Sequence, residues 1–270
     1  MTEAFLLEQI KQKQSLLCVG LDPDITRLPA HLRKTTNPVF AFNKAIIDAT
    51  LPYAIAYKPN LAFFEALGME GLEALHATVE YLSDKQVMVI ADAKRGDIGN
   101  TARQYARSIY IELKADAVTL SPYLGFESVK PFTDFEEKWF FNLALTSNSG
   151  ANDFQLLESD GRPLFTYVLE KFTNYCPDVR HGFVVGATQS EYLAQVRHYA
   201  PEAWLLVPGI GAQGGNLAEV IEHLHVPQGH KIILNSARSI LYASSGRDFD
   251  LAAARAAEHT VEHIRQLVEF

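Results

Sequence analysis

The sequence predicts a single-domain (β/α)8 TIM barrel, and three observations carry that prediction. Eight short β-branched apolar runs recur along the 270 residues, each too short for a helix and each followed by polar or glycine punctuation. Segments of helical periodicity separate these runs. The length fits two small domains or one large one, but no Gly/Ser-rich or Pro-rich linker divides the chain, so residues 1–270 read as one domain.

The predicted strands are 16–21, 54–57, 87–91, 117–120, 140–146, 182–187, 204–207 and 231–234. After the first comes a helix over 38–51, with Asn37 as its N-cap and Pro38 at its first position, where a missing N–H costs nothing. Further helices are expected near 71–83, 101–114, 164–175, 191–199 and 216–224, and a last one over about 247–268 completes the ring. Near-continuous apolar strands alternating with helices indicate a parallel sheet covered by helices, and eight such units favour closure over an open doubly wound sheet, the runner-up.

A composition of 48% hydrophobic and 21% charged residues supplies an ordinary globular core. The net charge of -8 and pI of about 5.6 argue against nucleic-acid binding, which needs a basic face. Two cysteines, Cys18 in an apolar run and Cys176 near a helix end, are too few for a disulfide framework or a cysteine zinc site. Glu3 and Glu8 precede Lys11 and Lys13, the wrong order for a signal peptide, and no apolar run approaches membrane-spanning length. The expected location is the cytoplasm.

Barrel enzymes place their chemistry at the C-terminal ends of the strands. There the sequence puts Asp22 after the first strand, Lys58 after the second, and Asp92 and Lys94 after the third, with Asp97 three residues further on. Side chains two apart on a strand share a face, so Asp92 and Lys94 are expected to point together into the barrel mouth. Acids and ammoniums converging in a partly dry pocket perturb one another strongly, which favours a functional cluster over a structural ion pair.

A second group follows the seventh and eighth strands, where Gly209-Ile210-Gly211-Ala212-Gln213-Gly214-Gly215 and Arg238 form a candidate phosphate site. Glycines let backbone amides approach the oxygens, and a guanidinium adds a bidentate cation. The same stretch matches the dinucleotide pattern at Gly209, Gly211 and Gly214. It stands in the wrong βα unit, however, and the next strand ends in Asn235 rather than an acid, so no nicotinamide or flavin is expected. His259 and His263 lie four apart without a third ligand and read as a solvated helix face, and His223 and His225 as helix-end residues.

The run Asp92-Ala93-Lys94-Arg95-Gly96-Asp97-Ile98-Gly99-Asn100-Thr101 resembles the signature of the orotidine 5′-phosphate decarboxylase family. Gly20-Leu21-Asp22-Pro23, Tyr57-Lys58-Pro59-Asn60, Pro122-Tyr123-Leu124-Gly125, Thr146-Ser147-Asn148, the stretch from Pro208 to Gly215 and Ala237-Arg238-Ser239 are similar to its longer bacterial subgroup. Nearly the whole chain is covered. Ser149 stands where that subgroup usually has proline and Ser121 where asparagine is frequent, departures that bear only on the loops after the fourth and fifth strands.

The resemblance implies a cofactor-free carboxy-lyase, without a metal, that makes UMP from orotidine 5′-phosphate. It implies a charged catalytic set of Lys58, Asp92, Lys94 and Asp97, with Lys94 the proton donor and Asp97 contributed across a homodimer. Asp22 and Thr101 are implied to hold the ribose hydroxyls, Ser147 and Asn148 the pyrimidine edge, and Gly211, Gln213 and Arg238 the phosphate. The alternatives are a related metal-dependent barrel acting on a sugar phosphate and a catalytically silent phosphate-binding barrel.

Overall fold

In the computed structural model, which describes residues 1–176, 180–210, 216–226 and 229–270, the strands are, in chain order, β1 (Leu17–Leu21), β2 (Ala54–Pro59), β3 (Met88–Arg95), β4 (Ala117–Leu120), β5 (Trp139–Leu145), β6 (Glu158–Ser159), β7 (Arg162–Pro163), β8 (His181–Val185), β9 (Trp204–Pro208) and β10 (Ile232–Ser236). Eight of them close into a parallel barrel in the order β1-β10-β9-β8-β5-β4-β3-β2, and β6 and β7 form a separate antiparallel hairpin. Each predicted strand has its counterpart in the barrel, β4 at the predicted residues and the others shifted at one or both ends by a few residues. The closed sheet excludes the open alternative, because β1 pairs with both β2 and β10.

The helices are α1 (Glu3–Lys13), α2 (Pro38–Thr50), α3 (Leu61–Glu65), α4 (Gly68–Ser83), α5 (Gly99–Arg107), α6 (Lys130–Thr133), α7 (Ala151–Phe154), α8 (Leu164–Tyr175), α9 (Leu193–Tyr199), α10 (Leu217–Leu224), α11 (Arg238–Leu241) and α12 (Phe249–Leu267). Asn37 caps α2 as predicted, its side chain accepting from the Phe40 amide with Pro38 in the first turn. The helix expected over 101–114 is α-helical only to Arg107. It then widens into a π-turn over Ser108–Glu112, where Tyr110 is buried and its hydroxyl donates to the Trp139 carbonyl at 2.7 Å. No helix among the described residues is long and apolar enough to cross a membrane.

Aromatic side chains fill much of the interior: Tyr57, Trp139, Phe140, Phe141, Phe165 and Phe183 are essentially fully buried, each contributing roughly 1.5–3 kcal/mol by leaving water. Helix α1, which the sequence reading left out, closes the N-terminal end of the barrel with buried Leu6 and Ile10. Two tryptophans at strand starts fasten it. Trp139 donates to the Met1 carbonyl at 2.9 Å and Trp204 to the Glu3 carboxylate at 2.8 Å, their rings meeting edge to face. The opposite end stays open, and the polar strand ends gather there.

Candidate active site

Asp92 is the hub of the open end. It lies near the end of β3, 8% exposed, and its two carboxylate oxygens are divided between two ammoniums. Lys58 on β2 approaches Oδ2 at 2.7 Å, and Lys94 approaches Oδ1 at 2.5 Å. Burial pushes the Asp92 carboxyl up, but the charges and hydrogen bonds of Lys58 and Lys94 outweigh it and hold the group well below the usual carboxylate range. For Lys58, burial acts to lower and the charges of Asp92 and Asp22 act to raise, with the net shift upward. The array is therefore fully ionised at neutral pH around Asp92 and Lys58, and it places one half-exposed ammonium, that of Lys94, at the mouth.

The two lysines reach the same carboxylate because β3 is not regular there. Its ladder with β4 slips between Ala91 and Arg95, and Lys94 takes a left-handed backbone with φ of 46°, unfavourable for a side chain with a Cβ. Thr119 of β4 holds this turn. Its hydroxyl donates to Asp92 Oδ1 at 3.0 Å and accepts from the amides of Ala93 and Lys94 at 3.1 and 3.0 Å. Sequence reasoning missed Thr119, although a lone hydroxyl within the buried run Ala117-Val118-Thr119-Leu120 was a signal that could have found it.

Asp22 stands just past β1. Burial raises its carboxyl, against the charges of Lys58, Lys94 and Arg238, and its Oδ1 is buried with no hydrogen-bond partner among the described residues. Gly20 lets β1 and the segment after β10 approach, since a Cβ there would stand 2.7 Å from that of Ala237.

Two clefts meet at this array, sharing Lys58, Asp92 and Pro208. The smaller, about 160 Å³, runs past Asp22 and Asn235 to Arg238 at the start of α11. The larger, about 460 Å³, runs past Lys94 and Thr119 to Ser147, Asn148 and Gln155. The loop bearing Ser147 and Asn148 is held from beneath: Gln155 accepts from the Thr146 amide at 2.7 Å, and the Gln189 side chain donates to the Thr146 carbonyl at 3.0 Å. Asn148 itself accepts from the Thr146 hydroxyl at 2.6 Å. Gly186 of the β8 end packs directly on this loop, where a Cβ would stand 2.7 Å from the Ser147 amide nitrogen.

The structure thus brings Asp22, Lys58, Asp92, Lys94, Ser147, Asn148 and Arg238 around connected clefts. It does not bring Asp97 or Thr101 to them within one chain. Asp97 accepts from the Ile98 amide at 2.8 Å and makes no ion pair with either lysine, and Thr101 is exposed on the first turn of α5. Gly211 and Gln213 lie outside the described residues. His259 and His263 are exposed on α12, and no group of three or more His, Cys, Asp or Glu side chains among the described residues is arranged to hold a metal ion.

Residues 15–248 match the family described as Orotidine 5'-phosphate decarboxylase / HUMPS family. The chain is 51% identical over 265 residues to an orotidine 5'-phosphate decarboxylase of Parabacteroides distasonis, covering 97% of this chain and 94% of the relative. It is 48% identical to that of Flavobacterium johnsoniae, covering 100% and 98%. Among solved structures it superposes on a putative orotidine-monophosphate-decarboxylase of Toxoplasma gondii with a TM-score of 0.87 at 35% identity, covering 97% of this chain and 96% of that one. The OMP decarboxylase of Leishmania donovani gives a TM-score of 0.83 at 38% identity, covering 98% and 99%.

Proposed function

This chain belongs to the orotidine 5′-phosphate decarboxylase family, and on that premise we propose how its own residues convert orotidine 5′-phosphate to UMP and carbon dioxide. The relatives named above support neither a sugar-phosphate substrate nor a silent barrel.

The observation that carries the mechanism is the division of Asp92 between Lys58 and Lys94. The pyrimidine enters the larger cleft, with its edge against Ser147 and Asn148 and its C6 beside Lys94. The bond from C6 to the carboxylate breaks, carbon dioxide leaves, and the electron pair stays on C6 as an sp² carbanion. The ammonium of Lys94, already held in place by Asp92, stabilises that charge without rearranging and then transfers its proton to C6. Lys94 regains a proton from solvent. Asp92 lies near the departing carboxylate and positions both lysines.

The smaller cleft takes the ribose and phosphate, with Asp22 on a ribose hydroxyl and Arg238 on the phosphate; Gly211 and Gln213 have the further role of binding the phosphate. Phosphate binding far from C6 contributes to the transition state by fixing the base over Lys94.

Asp97 and Thr101 complete the site from a second subunit. Exposed apolar side chains that follow β1 to β5 along the chain support this homodimer: Ile25, Phe63 on α3, Ile98, Tyr123, Leu124, and Phe154 on α7. Burying such side chains against a second copy favours association, and a two-fold dimer would let residues of each α5 reach the partner's mouth. With a soluble nucleotide as substrate, the enzyme works in the cytoplasm.

The test is loss of orotidine 5′-phosphate absorbance with and without EDTA. The same rate in both is expected, since lysines supply the positive charge; a strict need for added magnesium would overturn the cofactor-free mechanism.

A further inference from the structure

Asn235 is the next-to-last residue of β10, and its Cα is in register with Cys18 of β1 and Pro208 of β9. It is 6% exposed and lines the smaller cleft together with Lys58, Asp92 and Arg238. Its side-chain Oδ1 is buried and has no hydrogen-bond partner among the described residues. Gly20 opposite leaves room for that oxygen, which would lie 3.3 Å from a Cβ placed there.

A buried carboxamide with an unpaired oxygen lowers the stability of the folded chain, and most native side chains of this kind are paired. Packing alone favours an apolar residue at this position, as at Ile232, Ile233 and Leu234 in the same strand. The second unpaired buried oxygen of the same cleft belongs to Asp22. Two acceptors with no donor among the described residues therefore line one narrow cleft, which is also lined by the Lys58–Asp92 pair and Arg238.

That space lies where a nucleotide places its sugar, between a base at Lys94 and a phosphate at Arg238. We infer that Asn235 is a further substrate-contacting residue, whose carboxamide forms a hydrogen bond with a ribose hydroxyl beside Asp22. This rests on the reading of the site as one for orotidine 5′-phosphate. A hydroxyl both donates and accepts, so the bond forms with either end of the amide turned toward it. The unpaired oxygen costs the free enzyme stability and is satisfied only in the complex, a trade common at binding sites.

The experiment measures kcat/KM for wild type, Asn235→Ala and Asn235→Ser on orotidine 5′-phosphate and on its 2′-deoxy and 3′-deoxy analogues, together with the thermal midpoint of each free protein. Wild-type turnover of orotidine 5′-phosphate is the first arm, and its absence would overturn the reading on which the inference rests. With that turnover in hand, Asn235→Ala is expected to lose about tenfold or more on the ribonucleotide. On the analogue lacking the contacted hydroxyl it should match wild type within about twofold, and the free variant should melt no lower than wild type. Asn235→Ser, which keeps a short hydroxyl, should fall between and guards against a variant that does not fold. Equal losses on all three substrates, or no loss on the ribonucleotide, would overturn the assignment of Asn235 while leaving the decarboxylase reading intact.

Discussion

The phenol of Tyr242 donates to the backbone carbonyl of Asp22 at 2.9 Å, and it accepts from the Asp24 amide at 2.7 Å. One hydroxyl thereby ties the loop after β1 to the turn that ends α11, the helix that begins at Arg238. The Tyr242 ring is itself held, stacked on Phe42 at 6.1 Å and covered by the Arg27 guanidinium at 3.8 Å. Tyr242 is a positioning residue: it touches no reacting atom, yet it fixes the spacing between Asp22 and Arg238. Tyr242→Phe should raise KM about tenfold with a smaller change in kcat, because the ring stays and only the tie is lost. Steady-state kinetics check this, and an unchanged KM would show that the loop holds its place without the phenol.

A second prediction concerns the opposite end of the barrel. His225, the C-cap of α10, meets His230 with 2.9 Å between Nε2 and Nδ1. Burial, the charge of His230 and the Arg197 guanidinium push His225 down to about 4. Arg197 is fixed nearby by bonds to the Leu224, Ala203 and Lys231 carbonyls. Between that value and the ordinary 6.5 the unfolded chain binds a proton that the folded chain refuses. Stability from this pair is therefore complete above about pH 6.5 and lost as pH falls toward 4. From pH 7 to pH 5 the melting midpoint of wild type should fall by roughly 2 °C more than that of His225→Gln. Parallel curves would show that the pair does not titrate as its surroundings imply.

Much of this was legible in the sequence, for physical reasons that differ by element. Buried parallel strands must be apolar throughout, so all eight barrel strands stood out, and Asn37-Pro38 marked the start of α2. Helix α1 was missed because its residues are largely polar and its role, sealing the barrel through Trp139 and Trp204, depends on partners more than a hundred positions away. Asp92 and Lys94 were found from a strand's two-residue period, yet they meet through a left-handed turn at Lys94. Nothing local announces that turn, since it is built by Thr119, which is 25 positions from Lys94. The unpaired Oδ1 of Asn235 is likewise a property of packing, invisible in the run Ile232–Ser236.

The third prediction separates a shared site from a self-contained one. Lys94→Ala and Asp97→Ala are each expected to be inactive. Unfolded, mixed in equal amounts and refolded together, they form mixed dimers in which one site lacks both residues and the other has both. Random pairing makes about half the dimers mixed, so roughly a quarter of all sites should regain wild-type turnover. A mixture as inactive as its parents would place Asp97 in the site of its own chain.

The measurement that bears most directly on the central claim is single-turnover decarboxylation by Lys94→Ala, compared with wild type at saturating orotidine 5′-phosphate. The variant should remain folded, because Lys94 is half-exposed and Asp92 keeps its bond to Lys58. With the stabilising ammonium and the proton for C6 both removed, the rate should fall by at least about a thousandfold. A folded variant that turns over within about tenfold of wild type would contradict the role of Lys94 and the mechanism built on it.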